Sequence, residues 1–422
     1  MENIKTKKPS LTTWILIATI AGISFGSIAG SWSANIKFIG DIFIRLIQMS
    51  VVLLVMTSVA TAIAKVDRKD AGRMGFHTFK WIILLTIISA LLGLALGLII
   101  RPGEGIVITG AGGIAEPVAP TPLKETLLNF VPLNIIDSMA RGDMVPCIVF
   151  SILFGLALGA YVNSESGNTI VLDFFVSFNA VIMNIIKIVM NLAPIGIFCL
   201  LANVAGSIGF KVVVPMLKFL GALLIGDLIQ FLFYGNLTGI ICKINPLKMP
   251  KKFAKMTIMA LTTTSSAICL PTQMEDSVTK FGISRRVSDF TGPINMSMNS
   301  NGAVQCYVLA ILFMSQASGI KLDAQQLFMA ILLSSLMCMG TIVVPGGMVI
   351  TYTFLASSLG LPLESVAILI GIDWFSGMLR TVVNVNVDVM ISMLVANKLG
   401  ELDRDVYNDI KTVVYEETAR QA

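Results

Sequence analysis

Apolar side chains fall along this chain in long unbroken runs, not in the alternation of a half-buried strand. The first runs from about Leu11 to Ile28, the second from about Ile36 to Ala64 and the third from about Trp81 to Ile100. Further runs occupy about 131–161, 170–206 and 212–243. A helix of about 20 apolar residues crosses a hydrocarbon core of about 30 Å, so each run is a candidate membrane span. Residues 101–127 are rich in Gly and Pro and predict a water-exposed connection. The pattern predicts an all-α polytopic membrane protein.

Polar residues punctuate the runs. Lys5, Lys7 and Lys8 precede the first, Lys65, Arg68, Lys69 and Arg73 follow the second as a basic loop, and Lys243, Lys248, Lys251 and Lys252 close the sixth. Positive flanks remain on the cytoplasmic side. Two runs separate the first pair of flanks and four the second, even numbers that keep all three flanks on one side. The first run carries no small-residue cleavage site after it and reads as a retained span.

Residues beyond 250 read differently. Around 253–275 a Ser/Thr-rich apolar stretch is interrupted by Thr262-Thr263-Thr264-Ser265-Ser266 and then by Pro271. Around 325–362 a second stretch is interrupted by Gly340-Thr341 and by Val344-Pro345-Gly346-Gly347. Backbone freed at membrane depth must be satisfied by protein or by a water-filled cavity. Two such broken segments point to a transporter's binding site, with a pair of kinked ordinary helices as the alternative.

Composition narrows the function. With 55% hydrophobic and 13% charged residues and a mean hydropathy of +0.84, a soluble enzyme is excluded, because globular chains carry about 25% charged residues. The net charge of +5 resides in short flanks, so no nucleic-acid partner is expected and membrane lipid is. Six cysteines lie scattered in apolar stretches without CxxC pairs, and the single histidine, His77, makes a zinc site or a histidine triad improbable. With no nucleophile–base pair or phosphate loop either, no enzyme is expected.

The final run holds the chemistry. On a helix, Asp373, Arg380, Asn384 and Asp388 fall within about 80° of one another, one polar stripe on an apolar rod. Ionised groups at bilayer depth cost about 2.5–3.5 kcal/mol or more and face the protein interior. Arg380 presents a planar fork of donors suited to a carboxylate. Asn384 and Asp388 present hard oxygens suited to a small cation. Upstream, Thr291–Gly302 ends in a cluster of asparagines that disfavours regular helix and would expose carbonyls. An internal salt bridge and a polar hinge are the structural alternatives.

These residues carry a resemblance. Gly40-Asp-Ile-Phe-Ile-Arg-Leu-Ile-Gln-Met49, Ala193-Pro-Ile-Gly-Ile-Phe198, Gly340-Thr341 with Val344-Pro345-Gly346, and Asp373, Arg380-Thr381, Asn384 and Asp388 resemble, in order, the dicarboxylate/amino acid:cation symporters, which include the glutamate transporters. The resemblance implies eight transmembrane helices plus two re-entrant helical hairpins, an elevator fold assembled as a homotrimer in the cell membrane, with both termini cytoplasmic. Residues 1–80 and 128–243 would be mainly scaffold, with the helices near 81–100 and 212–243 partly in the transport domain. Residues 250–398 would form that domain's core: hairpin 1 at about 253–280, helix 7 at about 283–315, hairpin 2 at about 325–362 and helix 8 at about 363–398. A cytoplasmic tail would occupy 399–422. The resemblance further implies that Ser265 and Ser266 at the first tip, and Val344, Pro345 and Gly346 at the second, touch a small anionic substrate. It assigns a substrate carboxylate to Arg380, pocket positions to Asp373, Gly377, Thr381 and Asn384, and Na+ (or H+ in its place) to Asn299, Asn301, Thr341, Asn384 and Asp388.

Two positions depart from the family pattern. Gly377 stands where the amino-acid carriers have an aspartate that pairs with the substrate ammonium. Asn301 stands where the family has a cation-binding acid. The first departure favours a plain C4-dicarboxylate over an acidic amino acid. The second lowers cation affinity, since an amide supplies an oxygen but no charge. A neutral or sulfur (cystine-like) amino acid symporter and an uncoupled anion channel are the alternative readings.

Overall fold

The computed structural model describes residues 11–64, 68–105, 128, 131–141, 144–164, 167–338 and 348–414. Among them the secondary structure is helical, apart from one isolated antiparallel bridge, Ile283 to Leu402. Four helical stretches are long and apolar enough to cross a membrane: Ile17–Phe43, Gly72–Ile100, Gly209–Cys242 and Asp373–Leu399. Shorter apolar helices accompany them, as a multi-pass membrane protein requires.

Helix α1 (Leu11–Ala29) leads into α2 (Lys37–Ala64), and α3 spans Arg68–Ile100. The expected basic loop after α2 is therefore mostly helix, because Arg and Lys are good helix formers and extend α3 beyond its apolar window. Lys65 and the loop 101–127 beyond Gly105 fall outside the described residues. So do Lys5, Lys7 and Lys8. Next come α4 (Ile135–Arg141) and α5 (Met144–Val162) in place of one run at 131–161.

The run expected at 170–206 is two helices, α6 (Ile170–Met190) and α7 (Ala193–Ile208). The junction residues Asn191 (φ −64°) and Leu192 (φ −86°) both keep right-handed helical dihedrals, so the chain kinks without reversing. Pro194 accounts for the kink: it lacks an N–H for the Met190 carbonyl and its ring crowds that oxygen. Against α7 packs α1, through Gly22 and Gly26. A Cβ on either would lie 2.7 Å from the Phe198 carbonyl oxygen or 2.1 Å from that of Ala202. Small residues four apart let two membrane helices approach this closely.

Helix α8 (Val213–Cys242) precedes the broken segments. The first is α9 (Met249–Thr263) and α10 (Ser266–Thr279), joined by Thr264 in the left-handed region (φ +49°) and Ser265 in extended conformation. The two helices fold back on each other, since Lys255 Nζ reaches Glu275 at 3.1 Å. Pro271, expected as a second interruption, lies inside α10 and does not end it. Then α11 (Arg285–Met298) stops at Asn299 (φ −112°, ψ 112°), and α12 (Asn301–Ala317) restarts after Ser300. The second broken segment consists of α13 (Ala324–Met337) and α14 (Met348–Ser358), and its tip, 339–347, lies outside the described residues. The last run divides into α15 (Glu364–Gly371) and α16 (Asp373–Leu399) at Ile372 (φ −111°, ψ 8°), where one helix was expected.

Two large buried apolar clusters, and a small one where Ala90 of α3 meets Val304 and Val308 of α12, hold these elements. One joins α1, α2 and α7 to α12, α14 and α15. The other joins α3, α8, α9, α11 and α16 to residues 402–407, which include the short helix α17 (Arg404–Tyr407). Each charged side chain of the polar stripe is thus enclosed by apolar helices on several sides.

Candidate substrate and cation site

The break at Ile372 makes Asp373 the first residue of α16, and two turns later the same face presents Arg380. Arg380 Nη2 donates to Asp373 Oδ1 at 2.9 Å, and Nε donates to the Ser376 carbonyl at 3.1 Å. The pair is buried, with Arg380 2% and Asp373 7% exposed. Nη1 finds no hydrogen-bond partner among the described residues. One edge of the guanidinium is thus held by the protein, while Nη1 is a buried donor unmatched among the described residues, as it would not be in a salt bridge with every donor matched. A Cβ placed on Gly377 would lie 3.3 Å from Arg380 Nη2, so this position adjoins the guanidinium as helical spacing predicts. Thr381 lies fully buried with its hydroxyl donating to the Gly377 carbonyl at 2.7 Å, which turns its proton into its own helix.

One turn on, Asn384 Oδ1 accepts from the Gly302 backbone N–H at 2.9 Å, while its Nδ2 is unmatched among the described residues. A Cβ on Gly302 would sit 2.6 Å from the Arg380 carbonyl oxygen, so a glycine there lets the start of α12 press against α16. Asp388 Oδ1 accepts from Asn299 Nδ2 at 2.7 Å, Gln273 faces the same carboxylate, and Oδ2 has no partner within hydrogen-bond geometry among the described residues. Asn299 Oδ1 accepts from Asn301 Nδ2 at 2.8 Å. The break in α11–α12 thus brings Asn299, Asn301 and Asp388 into one chain of oxygens and amides, all at most 1% exposed.

Ser265 and Ser266 sit at the first tip, 7% and 6% exposed, and Ser266 Oγ is unmatched among the described residues. Thr341, Val344, Pro345 and Gly346 lie outside the described residues. Three neighbours of the site did not stand out in the sequence. Cys306 Sγ and Tyr352 Oη lie 3.2 Å apart, fully buried and within electrostatic reach of Arg380. Asp227, on α8, is buried at 4% exposure. Its signal was available: a lone acid within the apolar run 212–243.

Comparison with known proteins identifies a family. A family model described as the sodium:dicarboxylate symporter family matches residues 11–398. The chain is 31% identical, over 88% of its length and 90% of the relative's, to a proton/glutamate-aspartate symporter of Bacillus subtilis. It is 29% identical to the proton/glutamate-aspartate symporter of Escherichia coli over 96% of its length and 95% of the relative's. With a C4-dicarboxylate transport protein of Mesorhizobium japonicum it shares 28% identity over 92% of its length and 83% of that protein's. These relatives are transporters, not enzymes. A buried arginine with one unmatched nitrogen, flanked by cation-type oxygens on broken helices, is accounted for: the chain belongs to the sodium:dicarboxylate symporter family.

Proposed function

We propose that this protein is a secondary active symporter that couples a cation gradient to uptake of a small dicarboxylate, C4-dicarboxylates being preferred over acidic amino acids. The observation that carries this is Arg380: buried, anchored through Nη2 by Asp373 beside Gly377, with Nη1 unmatched among the described residues. Arg380 holds one substrate carboxylate, and Asp373 positions the guanidinium. Ser266, Asn384 and the second tip (Val344, Pro345 and Gly346) complete the pocket, with Ser265 and Thr381 shaping it. Na+, or H+ in its place, is carried as co-substrate, with Asn299, Asn301, Asn384, Asp388 and Thr341 as the oxygen ligands for a metal cation. The unmatched Asp388 Oδ2 supports that assignment.

In this reading α9–α10 and α13–α14 are the two re-entrant hairpins of an eight-span elevator fold. Residues 250–398, with parts of α3 and α8, form a transport domain that slides against a trimeric scaffold built from 1–80 and 128–243. Both termini are cytoplasmic. The second reading is an acidic amino acid carrier, favoured by the names of the glutamate-aspartate relatives. Labelled succinate and aspartate, offered to proteoliposomes with and without a Na+ or H+ gradient, decide between them. Concentrative succinate uptake that aspartate competes for weakly is expected, and failure to take up either anion under any gradient refutes the symporter.

A further inference from the structure

Two buried carboxyls lie outside the polar stripe among the described residues, and one of them, Asp276, is paired with Lys280 at 3.0 Å. The other, Asp227, sits within α8, 4% exposed, with Oδ1 3.5 Å from Gln305 Nε2 and Oδ2 without a hydrogen-bond partner among the described residues. Gln305 cannot offer it more, because the same nitrogen also donates to the Leu223 carbonyl at 3.1 Å. The other side of the Gln305 amide accepts from Gln230 Nε2, and Gln230 Oε1 in turn lies 2.9 Å from Ser89 Oγ. Ser89 Oγ lies 3.2 Å from Asn301 Oδ1, so a buried polar chain runs from Asp227 to the cation ligands. Asp227 also lines a crevice of about 650 Å3 between α8, α9 and α16. An ionised carboxylate has about four acceptor sites to satisfy, and one long bond from a neutral amide does little for it.

We propose that Asp227 is the proton-carrying site of this symporter: it takes up one proton from water through the crevice, forming an O–H bond, and releases it on the other side after the transport domain has moved. The inference rests on the symporter reading and supplies its coupling ion. Where the family's cation-binding acid is replaced by Asn301, the charge is moved to a carboxyl on a neighbouring helix. Asp227 lies within electrostatic reach of Arg380. Its protonation removes a negative charge that competes with the substrate carboxylate for the guanidinium. Proton and dicarboxylate therefore bind with positive coupling, each favouring the other.

The groups that face Asp227 are few. From α16 these are Arg380 and its partner Asp373, and from α12 Cys306, which feels all three charges. The α9 residues lining the crevice, among them Phe253, Thr257 and Leu261, do not titrate, and α3 contributes Ser89. Arg380 and Asp373 are paired with each other at 2.9 Å, which leaves Asp227 to set the profile.

The test uses the full-length chain in proteoliposomes with a trapped pH-sensitive dye, protein-free vesicles as the blank, and no Na+ gradient. External succinate should acidify the lumen with wild type, not with Asp227→Asn, and again with Asp227→Glu. In detergent, the succinate Kd from thermal shift should rise by up to about tenfold per pH unit for wild type and stay flat for Asp227→Asn, the neutral mimic. Succinate uptake by wild type without acidification overturns the proposal and leaves the symporter standing. Acidification that survives in Asp227→Asn overturns it equally. If wild type binds no dicarboxylate, both fall. Should Asp227→Asn fail to fold, the wild-type acidification and the displaced pH profile of Asp227→Glu decide between proton carriage by Asp227 and its absence.

Discussion

Arg380 concentrates the chemistry because its five donors divide unequally. Asp373 and the Ser376 carbonyl hold Nη2 and Nε, and Nη1 has no partner among the described residues. Arg380→Lys offers one compact charge in place of that fork, and a lysine cannot serve Asp373 and a substrate carboxylate in the same geometry. Succinate binding should weaken by about 1.5–3 kcal/mol, roughly ten- to a hundredfold in Kd, read by calorimetry on the purified chain. Gly377→Asp places a carboxylate beside the guanidinium, where a Cβ would lie 3.3 Å from Nη2. That charge repels a second substrate carboxylate and pairs with an ammonium. The succinate-to-aspartate preference should therefore shift by about tenfold or more toward aspartate in competition uptake. Asn301→Asp probes the cation ligands. Asn301 Nδ2 now donates to Asn299 Oδ1 at 2.8 Å, and an aspartate there would set two oxygens face to face unless a cation lies between them. The variant should melt lower than wild type without Na+ and regain stability with it, whereas a melting temperature indifferent to Na+ would remove residue 301 from the cation ligands.

At the level of elements, function depends on where helices stop. Asn299 and Ser300 leave helical geometry, and Gly302 then lets α12 close on α16, where an added Cβ would meet the Arg380 carbonyl oxygen at 2.6 Å. Gly302→Ala must push the two backbones apart, which breaks the bond from the Gly302 N–H to Asn384 Oδ1. Uptake should fall by an order of magnitude or more while the chain still folds, checked by transport against size-exclusion behaviour. Much of this was legible. The Ser/Thr run at 262–266 and the asparagines at 295–301 disfavour helix by their own side-chain hydrogen bonding, and both breaks occur there. The seven-residue spacing placed Asp373 and Arg380 on one polar stripe, and their ion pair at 2.9 Å is the internal salt bridge that stood as the structural alternative. The break at Ile372 was not legible, because no local chemistry at an isoleucine demands it and the packing of α15 and α16 against other helices sets it. Pro194 bends a run that its length suggested was straight, and Pro271 is accommodated within α10. Asp227 was legible only as a lone acid in an apolar run: no second charge lies at helical spacing from it, and its partner Gln305 is a neutral amide on a distant helix.

For the whole molecule, the decisive question is whether 250–398 moves against the rest. Two contacts bear on it. At the start of α2, Lys37 Nζ bonds Glu364 Oε1 of α15 at 3.0 Å, and Thr19 Oγ1 of α1 donates to the Gly371 carbonyl at 3.2 Å. Both cross from the proposed scaffold to the proposed transport domain. Both side chains of the ion pair are about a quarter exposed, so they contribute at most about 1 kcal/mol and can separate readily. A rigid elevator stroke must break them, whereas a hinge confined to the hairpin tips leaves them intact. The six native cysteines are all buried, which allows Lys37→Cys with Glu364→Cys to be linked selectively by a short bifunctional thiol reagent. Linking should abolish substrate uptake and leave succinate binding within a few-fold of wild type, with each single variant unaffected by the reagent. Full uptake in the linked protein would rule out relative movement of α2 and α15, and with it the sliding domain. At the opposite end of the transport core, Lys252 Nζ donates to Asp409 Oδ1 at 2.6 Å, and with Lys248 holds that carboxyl below the ordinary range. A depressed carboxyl stabilises the folded clamp above its unfolded value, near 3.9, and the contribution is lost as pH falls through the folded value. Pepsin should therefore cut Asp409→Asn faster than wild type within 401–411 at pH values where Asp409 remains charged, and the difference should vanish in stronger acid. A difference that persists there would mean that the tail is held by the Ile283–Leu402 bridge and the buried Tyr407, by packing and not by charge.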